Sequence, residues 1–163
     1  MLFDLSGEND EEVRGYMAKL SAEGCYEVSD AIKAALAEQY WGGCCDEADT
    51  AKTIAAYNET YGYLIDTHTA VAANVMEQYR QATGDKTLTV FVSTASPYKF
   101  CNHVLSAIGQ EPKADGVELL DQLHEVSGVT VPRRLAALKG KERRFDLTAE
   151  KQEMEQVVLD FLK

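Results

Sequence analysis

Ser93-Thr94-Ala95-Ser96 puts three hydroxyls into four residues, between Val90-Phe91-Val92 on one side and Pro97 on the other. A β-branched and aromatic run that stops at small residues and is followed by proline predicts a strand, a tight turn and a helix start. Open α/β sheets place ligands at such a point, outside the carboxyl end of a strand. The hydroxyls and the free first-turn amides of the helix can hydrogen-bond a polar heterocycle or an anion. The same residues also have a structural use, with Thr94 and Ser96 capping the helix, and spacing alone supports both readings.

Other reactive side chains are scattered. Cys25, Cys44, Cys45 and Cys101 lack the spacing of a disulfide framework, and the Cys44-Cys45 doublet is a poor zinc motif. They read as reduced thiols. His124 has no ligand-spaced neighbour, and no metal site is expected from the three histidines. Arg133-Arg134 and Lys139 to Arg144 form the one basic cluster, interleaved with Leu135, Leu138 and Glu142, which reads as a solvated helix face and loop.

Elements that must position these groups are mostly helical. Asn9 with Glu12 resembles a capping box, and Val13, Met17 and Leu20 make one apolar face up to Gly24, so residues 10–23 should be a helix. Ser29, Asp46 and Asp66 are caps for three more, the second carrying Ile54 and Tyr57 to Gly62 and the third running to Gly84. Ser96-Pro97 should start a helix through Phe100, Val104 and Ile108; Asp115 should open another through Leu119 and Leu123; Pro132 and Thr148 should begin the last two. Tyr57, Tyr61, Tyr63 and Trp41 are spaced like packing residues. Residues 87–93 are the one strong strand, and consecutive Val90-Phe91-Val92 predicts burial on both faces, as in a parallel sheet. Such a strand needs neighbours, for which Cys25–Val28 and Val129–Val131 are weak candidates. The fold class is thus α/β, dominated by helices.

With 163 residues, 45% of them hydrophobic, the chain suits a single unit. Its net charge of -11 argues against nucleic acid and anionic lipid as partners. The chain has no apolar run of membrane-spanning length and no leader-like start, so a cytoplasmic protein is expected.

Three separated blocks carry a family resemblance: Leu2-Phe3-Asp4-Leu5-Ser6-Gly7, Gly62 to Ala72 (GYLIDTHTAVA), and Ser93 to Phe100 (STASPYKF). Together with Val131-Pro132, Arg144-Phe145 and Met154-Glu155 toward the end, they make the chain resemble the C-terminal portion of threonine synthase, a fold-type-II pyridoxal-phosphate enzyme. Two positions depart from that family, which usually has proline where Thr67 stands and often histidine where Ser96 stands.

The resemblance implies conversion of O-phospho-L-homoserine and water to L-threonine and phosphate, with pyridoxal phosphate as the electron sink. It implies that Thr94 faces the pyridine nitrogen, with Ser93 and Ser96 in the same cofactor-binding turn; His68 and Thr69, at a helix start, are candidates for lining the substrate pocket, and Lys99, in a first helical turn, for facing an anion. It also implies a Schiff-base lysine in a Phe-Lys-Asp-like motif and a glycine-rich phosphate loop, and neither motif is present in these residues. The expectation is therefore a C-terminal segment that lacks the N-terminal half, contains no catalytic lysine, and is inactive alone. Self-association through surfaces that the other half would cover is a further expectation. The rival reading is a stand-alone helical module that binds a protein partner.

Overall fold

The structure, a computed structural model, describes residues 1–142 and 146–162. Nine α-helices occur among these: α1 (Leu2–Leu5), α2 (Asp10–Glu23), α3 (Asp30–Gln39), α4 (Glu47–Tyr61), α5 (Thr67–Thr83), α6 (Cys101–Ala107), α7 (Leu119–Ser127), α8 (Arg133–Ala136) and α9 (Met154–Phe161). Short 3-10 turns at Pro97–Lys99, Gly116–Glu118 and Lys151–Glu153 lead into α6, α7 and α9.

Four of the expected caps form. The side chains of Asn9, Ser29, Asp46 and Asp66 each accept from a first-turn amide, and Gly24, Gly62 and Gly84 end α2, α4 and α5 in the left-handed conformation. An acceptor at the N-cap satisfies donors that the helix itself leaves orphaned, which is why these starts are so well specified. Other boundaries move. Phe100, at φ -129° and ψ 38°, interrupts the segment after Ser96, so the hydroxyl caps a 3-10 turn and α6 starts one turn later. Similarly, Asp115 makes no side-chain cap, α8 stops at Ala136, and Glu150 with Glu153 makes the capping box in place of Thr148.

The core lies where α4, α5, α6 and α7 meet. Ile54, Ala70, Val104, Leu105, Leu119, Leu120 and Leu123 are each at most 2% exposed, and Leu64, Ile65 and Tyr98 close the cluster. In α7, Leu119, Leu120 and Leu123 fall on one face at helical spacing. That stripe docks against α6 and turns Asp121 and His124 outward.

The expected strand does not form. Residues 87–93 take no place in a ladder, and Leu88, Val90 and Val92 are 90%, 82% and 81% exposed. A strand exists only by exchanging backbone hydrogen bonds with a neighbour. Residues 25–28 and 129–131 are likewise not strands, so among the described residues the apolar run has no partner. The architecture of the described residues is helical, and the buried strand of the α/β expectation is corrected accordingly. Hydrogen bonds from α5 instead hold the start of this segment: Tyr79 donates to Asp85 (2.8 Å), and Arg80 donates to the carbonyl of Thr87 (3.2 Å).

The aromatic expectation also needs correction. Tyr61 and Tyr63 are largely exposed, Trp41 is 43% exposed and packs edge-on against the Tyr79 ring, and of the four Tyr57 packs on the core. Helical spacing places a residue on a face but does not say which face is covered. Arg143, Arg144 and Phe145, part of the basic cluster and of the family resemblance, lie outside the described residues. Among those described, no helix is long and apolar enough to cross a membrane.

Candidate functional site

Asp66 is the centre of the most organised polar cluster. It precedes α5, is 1% exposed, and sits next to Leu64 and Ile65, which belong to the core. One carboxylate oxygen, Oδ1, accepts from the amides of His68 (2.9 Å) and Thr69 (3.4 Å). The other, Oδ2, accepts from the Thr69 hydroxyl and, at 3.3 Å, from the Ser93 hydroxyl. A buried carboxylate without such donors would be costly, and four donors resolve that cost. Burial pushes the Asp66 carboxyl up, but hydrogen bonds from the Thr69 hydroxyl, the His68 and Thr69 amides and the Ser93 hydroxyl outweigh it and hold it below its ordinary range.

Ser93 thereby ties the hydroxyl turn to the start of α5. Its Oγ lies 2.8 Å from Thr69 Oγ1 and 3.5 Å from the carbonyl of Ala95. Ser96 accepts from the amide of Tyr98 at 3.3 Å, which is the capping role. Thr94, between them, is exposed, and no described residue hydrogen-bonds its hydroxyl. Capping, one of the two readings open for Thr94 and Ser96, is therefore taken by Ser96, while Thr94 keeps its hydroxyl free.

The other expected site residues separate. His68 stands on the first turn of α5 with its ring 5.0 Å from that of Phe100 and its Nδ1 3.4 Å from Asp66 Oδ1. It lines an open groove of about 300 Å³ with Cys45, Glu47, Thr67, Phe100 and His103. Thr69 does not line that groove; it is buried and its hydroxyl is committed to Asp66 and Ser93. Lys99 is exposed and borders a different groove, of about 520 Å³, with Tyr98, Leu120 and Leu135. Among the described residues no three His, Cys, Asp or Glu side chains converge as a metal site would require.

Sequence reasoning missed the groove residues Phe100 and His103. Phe100 precedes α6 and His103 lies in its first turn, but nothing in the sequence says that the start of α6 meets His68 at the start of α5.

Comparison with known proteins places this cluster in context. Residues 69–158 match a family model described as threonine synthase, C-terminal. The chain is similar to the threonine synthase of Methylobacillus glycogenes, 34% identical over 131 residues, covering 77% of this chain and 27% of that protein. It is also similar to the threonine synthase of Corynebacterium glutamicum, 30% identical over 115 residues, covering 69% of this chain and 24% of that protein. Among solved structures, the PLP-bound threonine synthase of Brucella melitensis superposes with a TM-score of 0.59 at 28% identity, covering 79% of this chain and 26% of that one. The chain thus spans about a quarter of the length of the relatives it matches.

Proposed function

The chain belongs to the threonine synthase family, by its C-terminal portion, and on that premise we propose that it supplies the hydroxyl side of a pyridoxal-phosphate site in an enzyme that converts O-phospho-L-homoserine and water to L-threonine and phosphate. The single observation that supports this most is the division of labour in the hydroxyl turn. Ser93 is clamped by Asp66 and Thr69, Ser96 caps, and exposed Thr94 is the one of the three with an uncommitted hydroxyl.

Those residues fit the group. A pyridine nitrogen needs one hydrogen-bonding partner in the plane of its ring, and an uncommitted hydroxyl on a clamped turn can serve as donor or acceptor. When bound, the cofactor supplies an electron sink for carbanions at the substrate. Thr94 orients the ring, and as a neutral hydroxyl it offers no charge to hold a proton on the nitrogen, unlike a carboxylate. The clamp keeps that hydroxyl in place. His68, on the adjoining groove with Thr67 and Phe100, is the group we place on the substrate side, and exposed Lys99 can reach an anionic substrate from the next groove.

The 163 residues hold no Phe-Lys-Asp motif and no glycine-rich phosphate loop, and we read the chain as inactive alone. Purified chain should release no phosphate from O-phospho-L-homoserine, and borohydride reduction after mixing with pyridoxal phosphate should leave no stoichiometric adduct on one lysine. Grafted in place of the matching region of the Methylobacillus glycogenes enzyme, it should give a chimera that makes threonine. A folded, cofactor-loaded chimera with no threonine formation would overturn the assignment.

A second reading, association with another polypeptide edge, is favoured by the uncovered Leu88, Val90 and Val92. An unpaired apolar run invites backbone pairing, whether with another part of the enzyme or with a second copy.

A further inference from the structure

We propose that Asp66 is a positioning residue that turns the Ser93 hydroxyl proton inward, so that Ser93 presents only lone pairs at the mouth of the turn and accepts a hydrogen bond from whatever group faces it. This rests on the reading of residues 93–96 as a ligand-facing turn.

The supply of hydroxyl protons around Asp66 limits where each can go. Asp66 as a carboxylate is acceptor-only, and Thr69 and Ser93 carry one hydroxyl proton each. The polar partners of Ser93 Oγ are Asp66 Oδ2 at 3.3 Å, Thr69 Oγ1 at 2.8 Å and the Ala95 carbonyl at 3.5 Å. If Thr69 gives its proton to Asp66, Ser93 donates in turn either to Thr69 Oγ1 or to Asp66 Oδ2. If Thr69 gives its proton to Ser93, then Ser93 must donate to Asp66 or to Ala95. Either arrangement that keeps the contacts sends the Ser93 proton into the protein.

The buried negative charge sets this direction. Ser93 is itself exposed, but Asp66 is 1% exposed and Thr69 is 7% exposed, so neither of its partners can exchange it for water without losing hydrogen bonds. The His68 ring, exposed to solvent, lies with Nδ1 3.4 Å from the opposite carboxylate oxygen, Oδ1. The facing chemical class is therefore a donor: an N–H or O–H of the ligand. An acceptor placed there would meet lone pairs only. The carboxylate already accepts from the His68 and Thr69 amides and has the Thr69 and Ser93 hydroxyls against its other oxygen, so it acts on the turn through hydroxyl orientation and not as a counter-ion.

The test needs no ligand. Carbon-13 NMR of the Asp66 side-chain carboxyl across the acid range should give a titration midpoint that moves to higher pH in Ser93→Ala, since an inward donor is lost, and in Thr69→Val. Ser93→Thr should restore it, and Thr94→Ala should leave it where it was. An Asp66 midpoint unchanged in Ser93→Ala would overturn the proposal. Failure of the cofactor reading would show in the chimera assay and leave this titration untouched.

Discussion

The Tyr98 hydroxyl donates to the main-chain oxygen of Val129, joining the 3-10 turn that follows Ser96 to the segment beyond α7. His124 Nδ1 lies 2.8 Å from the same oxygen, and because a carbonyl only accepts, that nitrogen carries the proton. Tyr98 is itself 4% exposed in the core cluster. The far side of the hydroxyl turn is thus fastened to the helical core by one phenol.

Tyr98→Phe keeps the ring and removes that bond while the Val129 carbonyl retains His124. The expected loss is about 1 kcal/mol, the net worth of one hydrogen bond, read from urea unfolding. A loss several times larger would mean that the carbonyl is left without a partner, contrary to the role given to His124.

Leu123 is 0% exposed at the junction of α7 with α6, so Leu123→Ala should cost about 2–5 kcal/mol through lost burial and the cavity left behind. Val126, on the same helix and 42% exposed, provides the control: Val126→Ala should stay within about 0.5 kcal/mol.

Asp66 makes folding depend on pH with a defined sign. Its folded carboxyl lies below the ordinary 3.8, so the stability it provides is fully present above that value and is lost as pH falls through the lower folded value. Asp66→Ala should therefore destabilise the chain by about 1–2 kcal/mol at neutral pH, as loss of an N-cap does, and the gap to the unsubstituted chain should narrow in acid. A gap that persists unchanged well below pH 3.8 would show that the carboxylate charge is not what the four donors recognise.

Cysteine reactivity should follow burial. Burial pushes the Cys101 thiol up, and its Sγ donates to the Tyr98 carbonyl at 3.2 Å, whereas Cys25 and Cys44 are exposed. Iodoacetamide near neutral pH should label Cys25 and Cys44 first and Cys101 last, followed by mass spectrometry over time.

Local rules made much of this legible in the sequence. Asn9, Ser29, Asp46 and Asp66 announced the starts of α2 to α5 because a cap is set by a side chain and amides within three residues. The capping role of Ser96 was legible for the same reason. What failed depended on distant partners. Val90-Phe91-Val92 has the composition of a buried strand, yet its ladder partner is absent from the described residues, and composition cannot report that. Tyr61 and Tyr63 have core-like spacing and face outward. The Asp66–Ser93 contact joins residues 27 apart, so Ser93 could be named as a site residue without any sign that it was clamped to Asp66.

The uncovered stretch at residues 86–93 also sets where the chain is open to cutting. Leu88, Val90 and Val92 stand clear of the surface, and Phe91 is half-buried beside them. A protease selective for large apolar residues therefore meets accessible backbone there before it meets any helix of the core. One cut divides α1 to α5 from α6 to α9, but Ile54 and Ala70 on the first piece remain packed with Val104 and Leu105 on the second. The two products should travel as one particle on a sizing column and part only in denaturant, so that the nick is silent until the core itself is opened.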